Sequence, residues 1–236
     1  MKELNGIVIQ KKMIRDQLCI VKIFSETNGL QGFWWKGSTK KGLKFDLFDV
    51  IQFQIKEDQK DQTPWLRNPQ VTQHLFHSRI DPVKSATLLF FQEVLHHLME
   101  EHYQNPPLYH FLVQLTLDLD SADQVQSYHF AFAVGLMRAL GCCPIVPKDN
   151  PDWFSMKEGQ FGKGYVPPGL NITSANHQLQ LFIDILQHNW DFVENKNISG
   201  AQKRSLLRDS VEYLFIQMEK KSTIQSLEIF YELFHL

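Results

Sequence analysis

The dipeptide Asp81-Pro82 divides this 236-residue chain into two textures, and no single backbone period accommodates both. Ahead of it, apolar residues come in short alternating runs: residues 6–10 (GIVIQ), 18–24 (LCIVKIF), 30–36, 47–56 (LFDVIQFQIK) and 65–75. Alternate positions of a strand share a face, so Val50, Gln52 and Gln54 fall on one side. Asn28-Gly29 separates the second run from the third and readily takes the positive φ of a tight turn. Beyond Pro82 the spacing becomes helical. Leu88, Phe91, Leu95 and Leu98 form one stripe of a helix predicted over residues 85–103, which Asn105-Pro106-Pro107 stops. Further helices are predicted over about 107–119, 121–140, 174–190, 202–219 and 224–234, with Ser121 as N-cap and Gly141 as stop of the second of these. Residues 142–170, rich in Gly and Pro, read as an irregular excursion with at most a short hairpin.

The expected class is α+β: a small N-terminal barrel over residues 1–80, followed by an all-α domain over residues 81–236. Among small barrels the five-stranded OB-fold suits the size and the charge, although alternation alone does not establish closure. The net charge of −2 conceals an uneven distribution. Residues 1–80 hold 13 Lys and Arg against 8 Asp and Glu, whereas residues 81–236 hold 11 against 18. A basic first module implies an acidic partner, and the acidic second module implies different work.

No apolar run approaches the roughly 20 residues of a membrane span, and the first residues lack a leader pattern, so the expected compartment is cytoplasmic. Cys19, Cys142 and Cys143 imply no disulfide framework, and without a CxxC pair no metal site is expected. His96 and His97 point about 100° apart on a helix and do not converge on one ion; His74 and His77 lie in a segment read as extended or loop. Residues 159–164 (GQFGKG) match a phosphate loop only loosely. No nucleophile with a base and an orienting group stands out. The reading is a binding protein without a cofactor, not an enzyme.

Residues 28–45 (NGLQGFWWKGSTKKGLKF) are the candidate site. Trp34 and Trp35 stand beside Lys36, Lys40, Lys41 and Lys44, a mixture in which rings stack on unpaired bases and ammonium groups meet phosphates. A second reading stays open: tryptophans packed inward and lysines blunting a sheet edge. If both tryptophans lie on a strand they face opposite ways, so at most one is a platform. In the second module Arg204 and Arg208 share a helix face suited to an acidic peptide or phosphates, with surface solubility as the alternative. Arg138 lies in an apolar run and needs a partner or a route to water.

Four segments, in order and suitably spaced, make the chain resemble the bacterial recombination mediator family RecO. They are Gly6-Ile7-Val8-Ile9; residues 20–29 (IVKIFSETNG) followed by Trp35-Lys36-Gly37; residues 136–144 (LMRALGCCP) with residues 154–161 (FSMKEGQF); and residues 221–233 (KSTIQSLEIFYEL). The resemblance implies an OB-fold followed by a helical domain, binding of single- and double-stranded DNA, strand annealing, and recombinase loading onto strands coated by single-stranded-DNA-binding protein. It implies as partners RecR and the acidic, hydrophobic C-terminal tail of that coating protein, with Arg138, Arg204 and Arg208 as tail-binding residues. Many members carry a four-cysteine zinc site in the excursion; only Cys142 and Cys143 stand there, so zinc is expected to be absent. The low net basicity shifts work toward partners, and an interaction scaffold with secondary DNA contacts is the alternative function.

Overall fold

A computed structural model describes residues 2–15, 18–37, 45–55, 63–169, 171–173, 178–187, 198–221 and 224–226. The chain forms two compact units, Met1–Ser121 and Ala122–Leu236. Strand gives way to helix between residues 73 and 77, but the helices up to Ser121 belong to the same compact unit as the sheet.

In the first unit, β1 (Lys2–Arg15), β2 (Leu18–Ser25), β3 (Gly29–Lys36), β4 (Val50–Ile55) and β5 (Arg67–Gln73) form an antiparallel sheet in the order β3-β2-β1-β4-β5. β1 is longer than its apolar run because residues from Lys11 to Arg15 continue the pairing with β2. The two edges then meet. Trp34 on β3 bridges Trp65 in parallel, its N–H donating to the Pro64 carbonyl and its carbonyl accepting from Leu66 N–H, both at 2.8 Å. The cyclic order is thus β1-β2-β3-β5-β4-β1, the OB barrel, and no strand edge is left bare at that rung. Leu4, Val8, Cys19, Val21, Ile23, Phe33, Trp35, Phe45, Ile51, Phe53, Ile55 and Leu66 fill the interior. Gly29 has φ +69°, and a side chain there would strike the Tyr103 carbonyl at 2.4 Å, so turn and packing both demand glycine.

Helices α1 (His77–Ile80), α2 (Pro82–Leu98) and α3 (Pro106–Ser121) complete this unit. The N-cap of α2 is Asp81, whose carboxylate accepts from Val83 and Lys84 N–H, with Pro82 at the first helical position; the start therefore precedes the predicted residue 85. Asp49, fully buried, ties barrel to helix: it accepts from Asp46 N–H at 2.7 Å and Leu75 N–H at 3.3 Å and pairs with Arg79 and His74.

The second unit holds α4 (Gln126–Ala139), β6 (Trp153–Ser155), β7 (Gln160–Gly162), β8 (Asn171–Thr173), α5 (Gln178–Leu186) and α6 (Gly200–Gln217). Ser121 ends α3 instead of capping α4, whose cap position, Val125, makes no side-chain hydrogen bond. The excursion expected to be irregular is a three-stranded antiparallel sheet, β7-β6-β8. Its buried Phe154 lies 4.7 Å from the Phe161 ring, 5.0 Å from Phe182 and 5.3 Å from Tyr213, so aromatic packing holds it. Ser199 and Gln202 form a reciprocal capping box at the start of α6. The prediction for residues 224–234 falls mostly outside the described residues.

Candidate nucleic-acid interface

Antiparallel pairing sets the outer face of β1, β2 and β3 rung by rung, because directly opposed residues point the same way. One rung carries Lys12, Ile20 and Trp34, and the bridge from Trp34 extends it to Trp65. The rung toward the open end carries Arg15, Leu18 and Lys36, and the rung on the other side carries Gln10, Lys22 and Gly32. Lys12, Arg15 and Lys36 are exposed; Lys22 is half-buried and pairs with Glu101 at 3.3 Å. A cationic rim therefore surrounds a central row of Ile20, Trp34 and Trp65.

Trp34 and Trp35 part company here. Trp35 turns into the barrel, 7% exposed and 4.8 Å from the Phe45 ring, with Phe33 on the same inner side. It is a core residue, and bases do not reach it. Trp34 is half-buried on the outer side, 6.5 Å from Trp65, which is 43% exposed. Lys36 sits on the outer face, whereas Lys40, Lys41 and Lys44 lie outside the described residues. Lys12, Arg15, Lys22 and Trp65 escape sequence reasoning because the cross-strand register, not local composition, brings them together.

Lys11 shows why register matters. It opposes the buried Val21, turns to the barrel mouth, and donates to the Phe45 carbonyl at 3.0 Å. The +5 of residues 1–80 is likewise not the charge of the unit: over Met1–Ser121 there are 14 basic and 14 acidic side chains, since residues 81–121 bring six carboxylates and one lysine.

In the second unit Arg138, exposed near the end of α4, donates to the Leu186 carbonyl at 2.7 Å and so caps the C-terminus of α5. Arg204 and Arg208 lie in the N-terminal half of α6; Arg208 bonds Ser205 at 3.3 Å and Asp209 at 3.5 Å. Burial raises the Asp209 carboxyl against the pull of Arg208.

The cysteines do not fit a four-thiolate zinc site. Burial pushes the Cys142 thiol up to about 11, with a further push from Cys143, and among the described residues no group of three His, Cys, Asp or Glu could hold a metal ion. The Cys142 carbonyl is engaged by the Tyr213 hydroxyl at 2.6 Å, a packing role. Residues 159–164, the loose phosphate-loop match, fall in the β6–β7 hairpin and just beyond it. No helix among the described residues is long and apolar enough to cross a membrane.

Comparison with known proteins adds an independent line. The family described as recombination protein O C terminal matches residues 79–222. The DNA repair protein RecO of Flavobacterium psychrophilum is 22% identical over 236 residues, covering 98% of each chain. The protein of the same name from Flavobacterium johnsoniae is 23% identical with the same coverage, and that of Bacteroides fragilis 25% identical over 239 residues and 97% of each chain.

Proposed function

Because the chain belongs to the RecO family, we propose that it is a DNA repair protein and that it works as a recombination mediator, a binding protein rather than an enzyme. Its barrel holds DNA through the phosphates, anneals complementary strands, and helps the recombinase load onto strands coated by single-stranded-DNA-binding protein. The observation that carries this reading is the outer barrel face, where Lys12, Arg15, Lys22 and Lys36 frame Ile20, Trp34 and Trp65. Cations set in register on a rigid sheet neutralise successive phosphates without ordering a loop first.

The helical unit takes the protein partners, RecR and the C-terminal tail of the coating protein. Arg204 and Arg208 are the tail residues of this reading; Arg208 has 65% of its side chain in solvent beside Asp209, whose place an acidic tail would take. Arg138, near the end of α4 and bound to the Leu186 carbonyl, is the third cation of this reading.

Annealing of two complementary oligonucleotides, bare and coated, tests the proposal. The protein should accelerate both reactions, and Arg208→Ala should slow only the coated one. If neither reaction is accelerated although the partners are captured, the scaffold reading, favoured by the −2 net charge, replaces it.

A further inference from the structure

We propose that the open backbone at Gly32, bordered by the Trp34–Trp65 pair, is a seat for unpaired nucleobases. The inference rests on the DNA-binding reading above and adds which part of the strand this face holds. Gly32 lies on the outer side of β3, opposite Lys22 and two residues before Trp34 on the same side. A side chain built there would meet no atom within 4 Å among the described residues, so β3 is bare backbone at that point. Glycine weakens a strand interior and is found where something must approach the backbone closely. Among the described residues, nothing on the protein side approaches this point.

The seat has an aromatic wall. The Trp34 and Trp65 rings lie 6.5 Å apart and 36° from parallel, and Trp65 leaves 43% of its surface in water. Closure of the barrel needs only the backbone of these two positions, through Pro64, Trp34 and Leu66, so the indoles are free to serve another purpose. Flat π-surfaces beside a backbone gap suit bases that have left a duplex, because paired bases keep their faces inside the helix. The flanking cations meet the phosphates of the same strand: Lys12 stands two strand spacings, about 10 Å, across the sheet from Trp34, and Lys36 two residues, about 7 Å, along β3. Aromatic wall, gap and rim thus distinguish a single strand from a duplex on one surface.

The test compares an oligothymidylate with an abasic oligomer of equal length and charge, binding to the full chain by fluorescence anisotropy at low salt. The unmutated protein should bind the thymidylate roughly tenfold or more tightly than the abasic strand. Trp65→Ala and Gly32→Leu should erase the difference between the two oligomers, and Trp65→Phe should retain most of it. Circular dichroism and thermal melts verify that each variant is folded. Equal affinity of the unmutated protein for both oligomers overturns the seat and leaves the phosphate-binding reading standing. Absence of binding to either overturns both.

Discussion

Trp34 and Trp65 meet both through the backbone and through their rings, and this one parallel bridge turns a five-stranded sheet into a closed barrel. Its neighbour Trp35 is committed to the interior. Adjacent tryptophans therefore have opposite thermodynamic weights. Trp35→Ala should cost about 3–5 kcal/mol in denaturant unfolding, and Trp65→Ala less than about 1 kcal/mol, since one empties a packed core and the other trims a surface. Equal losses would contradict the assignment of faces.

Asp49 has no exposure and accepts from two backbone N–H groups as well as facing Arg79 and His74. Removing it leaves several donors without an acceptor between barrel and helix. Asp49→Ala should lower stability by about 3–5 kcal/mol, read from the urea midpoint. Asp46→Ala, whose carboxylate is half exposed, should cost far less.

His129 is buried in α4, and burial holds its imidazole neutral, with the pKa lowered from 6.5 to about 3. The unfolded chain takes up this proton first as the pH falls. Stability of the helical unit should thus be constant above about pH 6.5 and decline below it, by at most about 1.4 kcal/mol per pH unit. Urea unfolding at about pH 7 and about pH 5 measures the slope, and His129→Leu should remove this contribution.

Arg138 gives its Nη2 to the carbonyl of Leu186, the last residue of α5. Arg138→Ala should cost about 1–2 kcal/mol and fray that helix end, seen as faster amide exchange at the C-terminus of α5. Unchanged exchange there would show that the cap contributes nothing.

The parts of this molecule legible in the sequence are those decided within one strand or one helix. Alternation put Trp34 and Trp35 on opposite faces, Asn28-Gly29 marked its turn, and the Leu88 to Leu98 stripe marked α2. Register was not legible, because it depends on two distant segments meeting: Lys11 and Lys12 look alike in sequence, yet one plugs the barrel and the other stands on the outer face. The pairing of Trp65 with Trp34 arises only on closure. Local competition accounts for other differences, as where Asp81 with Pro82 displaces Ser85 as the start of α2, and where Phe154 finds three rings that make a sheet of a glycine-rich segment.

Phosphates that meet the outer face of β1, β2 and β3 make DNA affinity depend on salt. Each lost phosphate contact should lower the slope of log affinity against log salt by about 0.7–0.9, so Lys12→Ala with Lys36→Ala should lower it by about 1.5 and weaken binding at low salt. Lys157→Ala with Lys163→Ala, two exposed lysines of the second unit, should leave the slope unchanged. An undiminished slope in the Lys12, Lys36 pair, or an equal fall in the control pair, would contradict the account.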